Sequence, residues 1–212
     1  MAGSGASMAT MDDDDTTHMS GPDDAVTPAT LDAASLERAA VEYLARYAAS
    51  RAAVARVLER RIAMAVRRGV LAEAGAEAAH ETARRVLDKL AGLGLLDDAR
   101  FAEGRARSLV ARGRSTAAIK ATLRDKGIDA GGVARALDTL EAETPHPERT
   151  AAINLARRRR LGPFRPDAER AARRDKDLAV LARAGFPRDL SCRVIDAPDR
   201  EALRALLADP DG

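Results

Sequence analysis

The sequence predicts an all-α protein, built as tandem three-helix repeats in an elongated array behind a disordered acidic N-terminal tail. Composition is the first observation. The 212 residues are rich in Ala, Arg, Leu, Glu and Asp and only 2% are aromatic, a composition that suits helices better than strands, with few β-branched residues. Periodicity is the second: apolar side chains recur at the 3.6-residue helical period through successive segments instead of alternating as in a half-buried strand. The third is repetition. A pattern of a capping Ser, two Leu and a basic residue returns about 65 residues later, and periods of that order belong to stacked helical units.

Residues 1–34 read as the tail. Asp12, Asp13, Asp14, Asp15, Asp23 and Asp24 lie in the first thirty positions, where Lys and Arg are absent, and Gly, Ser, Thr and Met around them give nothing to bury. The first repeat spans 35–95. Leu36, Ala40, Tyr43, Leu44 and Tyr47 form one stripe, and Val54, Val57, Leu58 and Ile62 form another after Ser50. Residues 63–79 are ambiguous. A third stripe, Ala83, Val86, Leu87, Leu90 and Leu93, is closed by Gly94, which can take the left-handed conformation that ends a helix.

The second repeat spans 96–143. Asp97 or Asp98 caps a helix carrying Ala102, Ala106, Leu109 and Val110; Ser115 caps one with Ile119 and Leu123 that ends at Gly127; Asp129 caps one with Val133, Ala136, Leu137 and Leu140. Aligning Ser50 with Ser115 pairs Leu44 with Leu109, Leu58 with Leu123 and Arg61 with Lys126. Beyond Pro145 and Pro147, residues 144–197 read as a more divergent third copy. Its helices run from about Glu148 to Arg160, then, after Gly162-Pro163 and Pro166, from Asp175 to Gly185 and from Arg188 to Ile195. LARAGF at 181–186 matches LRDKGI at 123–128. Residues 198–212 form a C-terminal helix and tail around Leu203, Leu206 and Leu207. Small three-helix cores lean on their neighbours, so the units should form an elongated array with broad lateral faces.

No constellation for catalysis stands out. His18, His80 and His146 lack ligand spacing, and His80-Glu81 has no second His to complete a zinc-protease pattern. Gly92 and Gly94 form a GxG with no preceding strand and with Asp97-Asp98 where phosphate would need amides. The single Cys192 excludes an intramolecular disulfide and multi-cysteine metal sites. The expectation is therefore no enzyme, no catalytic residue, no cofactor and no metal. No run of about eighteen apolar residues and no secretion signal are present, so a cytoplasmic monomer without membrane contact is expected.

Charge on helices remains. The chain carries net +2, but with about −6 on the tail the body carries about +8, which points to an anionic partner for which the arm can compete. Four consecutive arginines in ARRRRLGP, residues 156–163, turn through about 300° of helix. Arg159 continues the apolar stripe and should lay its stem over the core edge, leaving Arg157, Arg158 and Arg160 as ligands. Arg105, Arg107, Arg112, Arg114, Lys120, Arg124 and Lys126 add a second cluster. With Tyr43, Tyr47, Phe101, Phe164 and Phe186 mostly on core stripes, stacking platforms for bases are lacking. Binding would be phosphate-driven or directed at acidic protein. A helix-turn-helix DNA-binding protein is the alternative reading, although GGVARALDTLEAE, residues 131–143, is poorly suited to base edges.

The stretch LGLLDDARFAEGRARSLVARGRSTAAIKATLRDKGID, residues 93–129, resembles the central repeat of the RecX family, bacterial regulators of the RecA recombinase. LLDDARFA, Arg112-Gly113, the Ser-capped second helix and the closing KGI carry the resemblance, which extends over roughly residues 35–196 and includes RRRRLGPFR and ERAARRDKDLAVLARAGF. It implies tandem three-helix repeats lying along the groove of the RecA–DNA filament and spanning protomers, with suppression of ATPase, strand exchange and coprotease functions in recombination, DNA repair and the SOS response. In the first repeat, Arg60-Arg61-Ile62 runs on where the family commonly turns through Lys-Gly.

Overall fold

The computed structural model describes residues 31–208; the tail expected over residues 1–34 lies almost wholly outside them, as do residues 209–212. Among the described residues the chain forms ten α-helices and two single 3₁₀ turns, with no strand. The first triplet is α1 (Ala33–Arg46), α2 (Arg51–Arg67) and α3 (Ala76–Gly92); the second is α4 (Asp98–Ala111), α5 (Thr116–Asp125) and α6 (Ala130–Glu143); the third is α7 (Pro147–Arg159), α8 (Asp167–Arg183) and α9 (Arg188–Ile195). A terminal helix, α10 (Arg200–Ala208), packs on α7.

Local chemistry sets the helix ends. Asp32, Ser50, Asp97, Ser115 and Asp129 each accept a backbone N–H from the first turn of the helix that they open, each such cap contributing about 1 kcal/mol. Asp97 is thus the cap of α4, and Asp98 is left for another task. Gly69, Gly94, Gly113, Gly127 and Gly185 end helices with φ between +68° and +87°, the left-handed geometry in which a Cβ is disfavoured.

Three expectations change. The ambiguous stretch after Ile62 is helical to Arg67, so α2 closes at Arg68-Gly69, later than the corresponding helix of the second triplet. Helix α8 starts at Asp167, well before Asp175. Pro166 presets its entry and Asp167 and Glu169 suit its first turn, but its N-terminal half is exposed and carries no apolar stripe to betray it. Arg159 is as exposed as the arginines beside it, because α7's buried face ends at Ala156 and the chain leaves through a left-handed Arg160.

Two apolar cores result. Leu36, Val54, Leu58, Ile62, Leu87 and Leu90 centre the core of α1–α3. The other is continuous across α4–α10, joining Leu109, Ile119 and Leu140 to Leu181, Val194 and Leu203. Small residues allow this merging: Ala102, Ala106, Ala151, Ala152 and Ala156 are fully buried, so α4 and α7 approach closely. In the third triplet, buried Asp177 accepts from the Gly162 amide at 3.0 Å and from Arg165 Nε and a terminal nitrogen at 3.0 and 2.9 Å. That network fixes the long α7–α8 connection and satisfies the buried carboxylate.

A candidate docking interface

Successive triplets are joined by the same device. The Ser50 hydroxyl accepts from the Ala53 amide at 3.2 Å and donates to the Lys126 carbonyl at 2.5 Å. Ser115 repeats this one triplet on, accepting from Ala118 at 3.3 Å and donating to the Ala184 carbonyl at 2.7 Å. Each capping Ser therefore opens its own helix and closes the C-terminus of the equivalent helix in the next triplet. The adjacent amide is taken by a carboxylate from that next triplet: Asp98 accepts from Arg51 at 2.7 Å, and Glu148 accepts from Thr116 at 2.6 Å. Gly127 and Gly185 make room. A Cβ on Gly127 would collide with the Ala52 methyl, and one on Gly185 would lie 2.9 Å from Ser115 Oγ.

This places α8, α5 and α2 end to end, the partially positive N-terminus of one against the partially negative C-terminus of another, a favourable dipole arrangement. The paired ends also satisfy orphan helix donors and acceptors that water would otherwise have to reach. Each junction thereby holds its two triplets in one orientation.

The junction between the second and third triplets adds charge. Gly113 is buried, and a Cβ there would lie 2.6 Å from the Leu155 amide nitrogen, so α7 lies directly against the end of α4. Asn154 donates to the Val110 carbonyl at 3.2 Å, and the Arg158 guanidinium donates to the Arg112 carbonyl at 2.9 Å. The end of α7 is thereby held against the end of α4, and Arg112 and Arg114 after α4 and Arg157, Arg158 and Arg160 at the end of α7 are all exposed. Two helix C-termini lie beneath these cations and favour them locally. At the first junction Tyr47 and Ala49 occupy the positions of Arg112 and Arg114, so the shared backbone lock carries a cationic rim only once.

The other expected ligands lie apart from the rim. Lys120, Arg124 and Lys126 are exposed along α5. Arg107 is paired with Glu143 at 2.8 Å, and that carboxylate, first through its hydrogen bond and then through its charge, raises the Arg107 pKa above its ordinary value. Arg105 is half-buried, with its Nε shielded and without a hydrogen-bond partner among the described residues. Much of the third triplet's charge is spent internally. Arg165 holds Asp177, Arg174 holds Asp196 at 2.6 Å, and Arg170 donates to the Ala197 and Pro198 carbonyls. Arg173 and Lys176 remain exposed.

Sequence reasoning missed the second role of the two serines and the acceptor roles of Asp98 and Glu148. The signal was faint: each capping Ser recurs with a Gly one triplet later, but only the folded chain brings them together. Among the described residues no cluster of His, Cys, Asp and Glu is arranged to hold a metal, and no helix is long and apolar enough to cross a membrane.

Comparison with known proteins adds a family. A family model described as "RecX, second three-helix domain" matches residues 97–137. A curated protein named "Regulatory protein RecX" from Myxococcus xanthus is 41% identical over 165 residues, covering 76% of this chain and 84% of its own. Namesakes from Corynebacterium efficiens and Mycobacterium leprae are 37% and 40% identical over 133 and 121 residues, covering 61% and 56% of this chain and 60% and 68% of theirs. No solved structure matches the chain significantly.

Proposed function

The chain belongs to the RecX family of regulatory proteins, and from that premise we propose that it binds the RecA–DNA filament and restrains it. The observation that carries the reading is the packing of the end of α7 on the end of α4 at the junction of the second and third triplets, with Arg112, Arg114, Arg157, Arg158 and Arg160 exposed on the two sides of it. A filament groove offers acidic protein surface and bound-DNA phosphates, and clustered cations facing such a surface gain from both attraction and counterion release. Exposed Lys120, Arg124 and Lys126 on α5 extend the positive face. Junctions that fix one triplet against the next let a single chain touch neighbouring protomers at once, which raises avidity by making the second binding event intramolecular. A brace of this kind opposes the relative protomer motion that ATP turnover requires, and it inhibits ATPase, strand exchange and coprotease functions together.

The test is titration into the RecA-dependent ATPase reaction across salt concentration. Arg114→Ala/Arg157→Ala/Arg160→Ala spares Arg158, whose guanidinium also ties α7 to α4. It should need at least about tenfold more protein for half-inhibition, and its log–log salt slope should be shallower by about 0.7–0.9 for each phosphate that is no longer neutralised. Helical circular dichroism should be unchanged. Inhibition equal to wild type would overturn the assignment, and equally tight binding to bare duplex DNA without RecA would favour a DNA-binding protein instead.

A further inference from the structure

The two junctions share a lock but differ in what surrounds it. Asp98 and Glu148 accept the equivalent amides, and buried Ala102 and Ala106 of α4 correspond to buried Ala152 and Ala156 of α7. In that register Asn154, Leu155 and Arg158 correspond to Gly104, Arg105 and Ser108, and Arg112-Gly113 at the end of α4 corresponds to Tyr47-Ala48 at the end of α1. Each change removes a contact. Asn154 and Arg158 donate to carbonyls at the end of α4, whereas Gly104 has no side chain and that of Ser108 is too short to span a gap that an arginine bridges. Leu155 lies on Gly113, where a Cβ would stand 2.6 Å from its amide nitrogen. Ala48 carries that Cβ, and Arg105 brings a charge in place of the leucine.

The packing agrees. Helices α4 and α7 pack on one another and share a core, but no helix of α1–α3 packs in this way on a helix of α4–α10. Val41 of α1 is 41% exposed, while Ala106, its counterpart in the register that pairs Leu44 with Leu109, is fully buried. What holds the first junction is the lock itself: Ser50 and Arg51 bonded to Lys126 and Asp98, with the Ala52 methyl against Gly127.

The chain also crosses between the cores abruptly. Leu96 is buried in the α1–α3 core, and the next residue, extended Asp97 at φ −137°, caps α4. Leu93, Gly94 and Leu95 before them are exposed. A rotation at the Leu96–Asp97 connection therefore moves α1–α3 against α4–α10 and disturbs neither interior, as a hinge of a few residues does. Opening the first junction exchanges the bonds of the lock for bonds to water. Opening the second would also expose the apolar interior that joins Leu109 to Leu181, which water disfavours. Units divided in this way open at separate free energies.

We propose that the first junction is a releasable latch: α1–α3 swings as a unit about Leu96–Asp97 when Ser50 and Arg51 let go of Lys126 and Asp98, while α4–α10 moves as one body. Both junctions fix one orientation while closed, and only the first opens without unfolding. The latch lets the first triplet reach a contact whose position relative to the α4–α10 body varies. This inference is independent of any action on RecA and is tested without it. Pairs of spin labels in a Cys192→Ser background read the distances, at exposed Ala63, Ala91, Ala121 and Ala172 on α2, α3, α5 and α8. The Ala63→Cys/Ala121→Cys distribution, across the first junction, should be wider than the Ala121→Cys/Ala172→Cys distribution, across the second. Asp98→Ala should widen the first further, and the matched Glu148→Ala should leave the second narrow. The Ala63→Cys/Ala91→Cys pair lies within the first triplet and should stay narrow throughout, which separates swinging from melting. Equal widths at the two junctions, an equal response to Asp98→Ala and Glu148→Ala, or widening of the Ala63→Cys/Ala91→Cys pair along with the first junction would each overturn it.

Discussion

Ser115 has two bonds to lose and no neighbour to replace it. Its hydroxyl caps α5 and closes the Ala184 carbonyl, and the residue is fully buried. Ser115→Ala should lower stability by about 2 kcal/mol, about 1 from the cap and a similar amount from the unpaired carbonyl, read as a lower urea midpoint at unchanged slope. That Ser115 opens a helix is legible in the sequence, because a hydroxyl before an apolar run is a local signal. That it also closes a helix 69 positions away is not, because nothing local encodes which carbonyl will arrive. The same division applies to the arginines. Exposure of Arg157, Arg158 and Arg160 follows from a helix run with no apolar period, whereas the internal engagement of Arg107, Arg165 and Arg174 depends on partners on other elements.

Among the helices, α8 is held to the end of α9 by a bidentate ion pair, Arg174 to Asp196 at 2.7 and 2.6 Å. The Arg174 hydrogen bonds, outweighing the opposing desolvation, hold the Asp196 pKa below its ordinary value. A carboxylate depressed in the folded state contributes stability above its unfolded pKa, about 3.9, and that contribution is lost as pH falls through the lower folded value. Thermal melts of the wild type and Asp196→Asn should therefore differ more at pH 6 than below pH 3, with the wild type the more stable at pH 6; a gap independent of pH would contradict the pairing. Both partners are partly exposed, so the effect should shrink with salt. The early start of α8 escaped sequence reading for a related reason: its first half is stabilised by entry geometry and ion pairs, not by a buried stripe.

Across the whole chain, the division into cores matters most. Helices α4–α10 share one continuous core while α1–α3 have a smaller one, so a fragment of residues 96–208 should unfold cooperatively by circular dichroism, and residues 96–143 alone should give a broad, non-cooperative melt. Burial scales with size, and a single triplet encloses too little apolar surface to offset its chain entropy. Most of the helices, the caps at Ser115 and Asp129, the glycine ends at Gly94 and Gly127 and the recurrence of the triplet were legible in the amino-acid order, because each depends on residues within a turn or two of one another; the end of α2 at Gly69 and the start of α8 were not. Folding had to settle the rest: that capping serines double as clamps, that the second and third triplets fuse their interiors, and that Arg158 ties the end of α7 to the end of α4. Those outcomes depend on how helix ends meet, and the pairing of distant donors with distant acceptors is fixed only when packing brings them within hydrogen-bond reach.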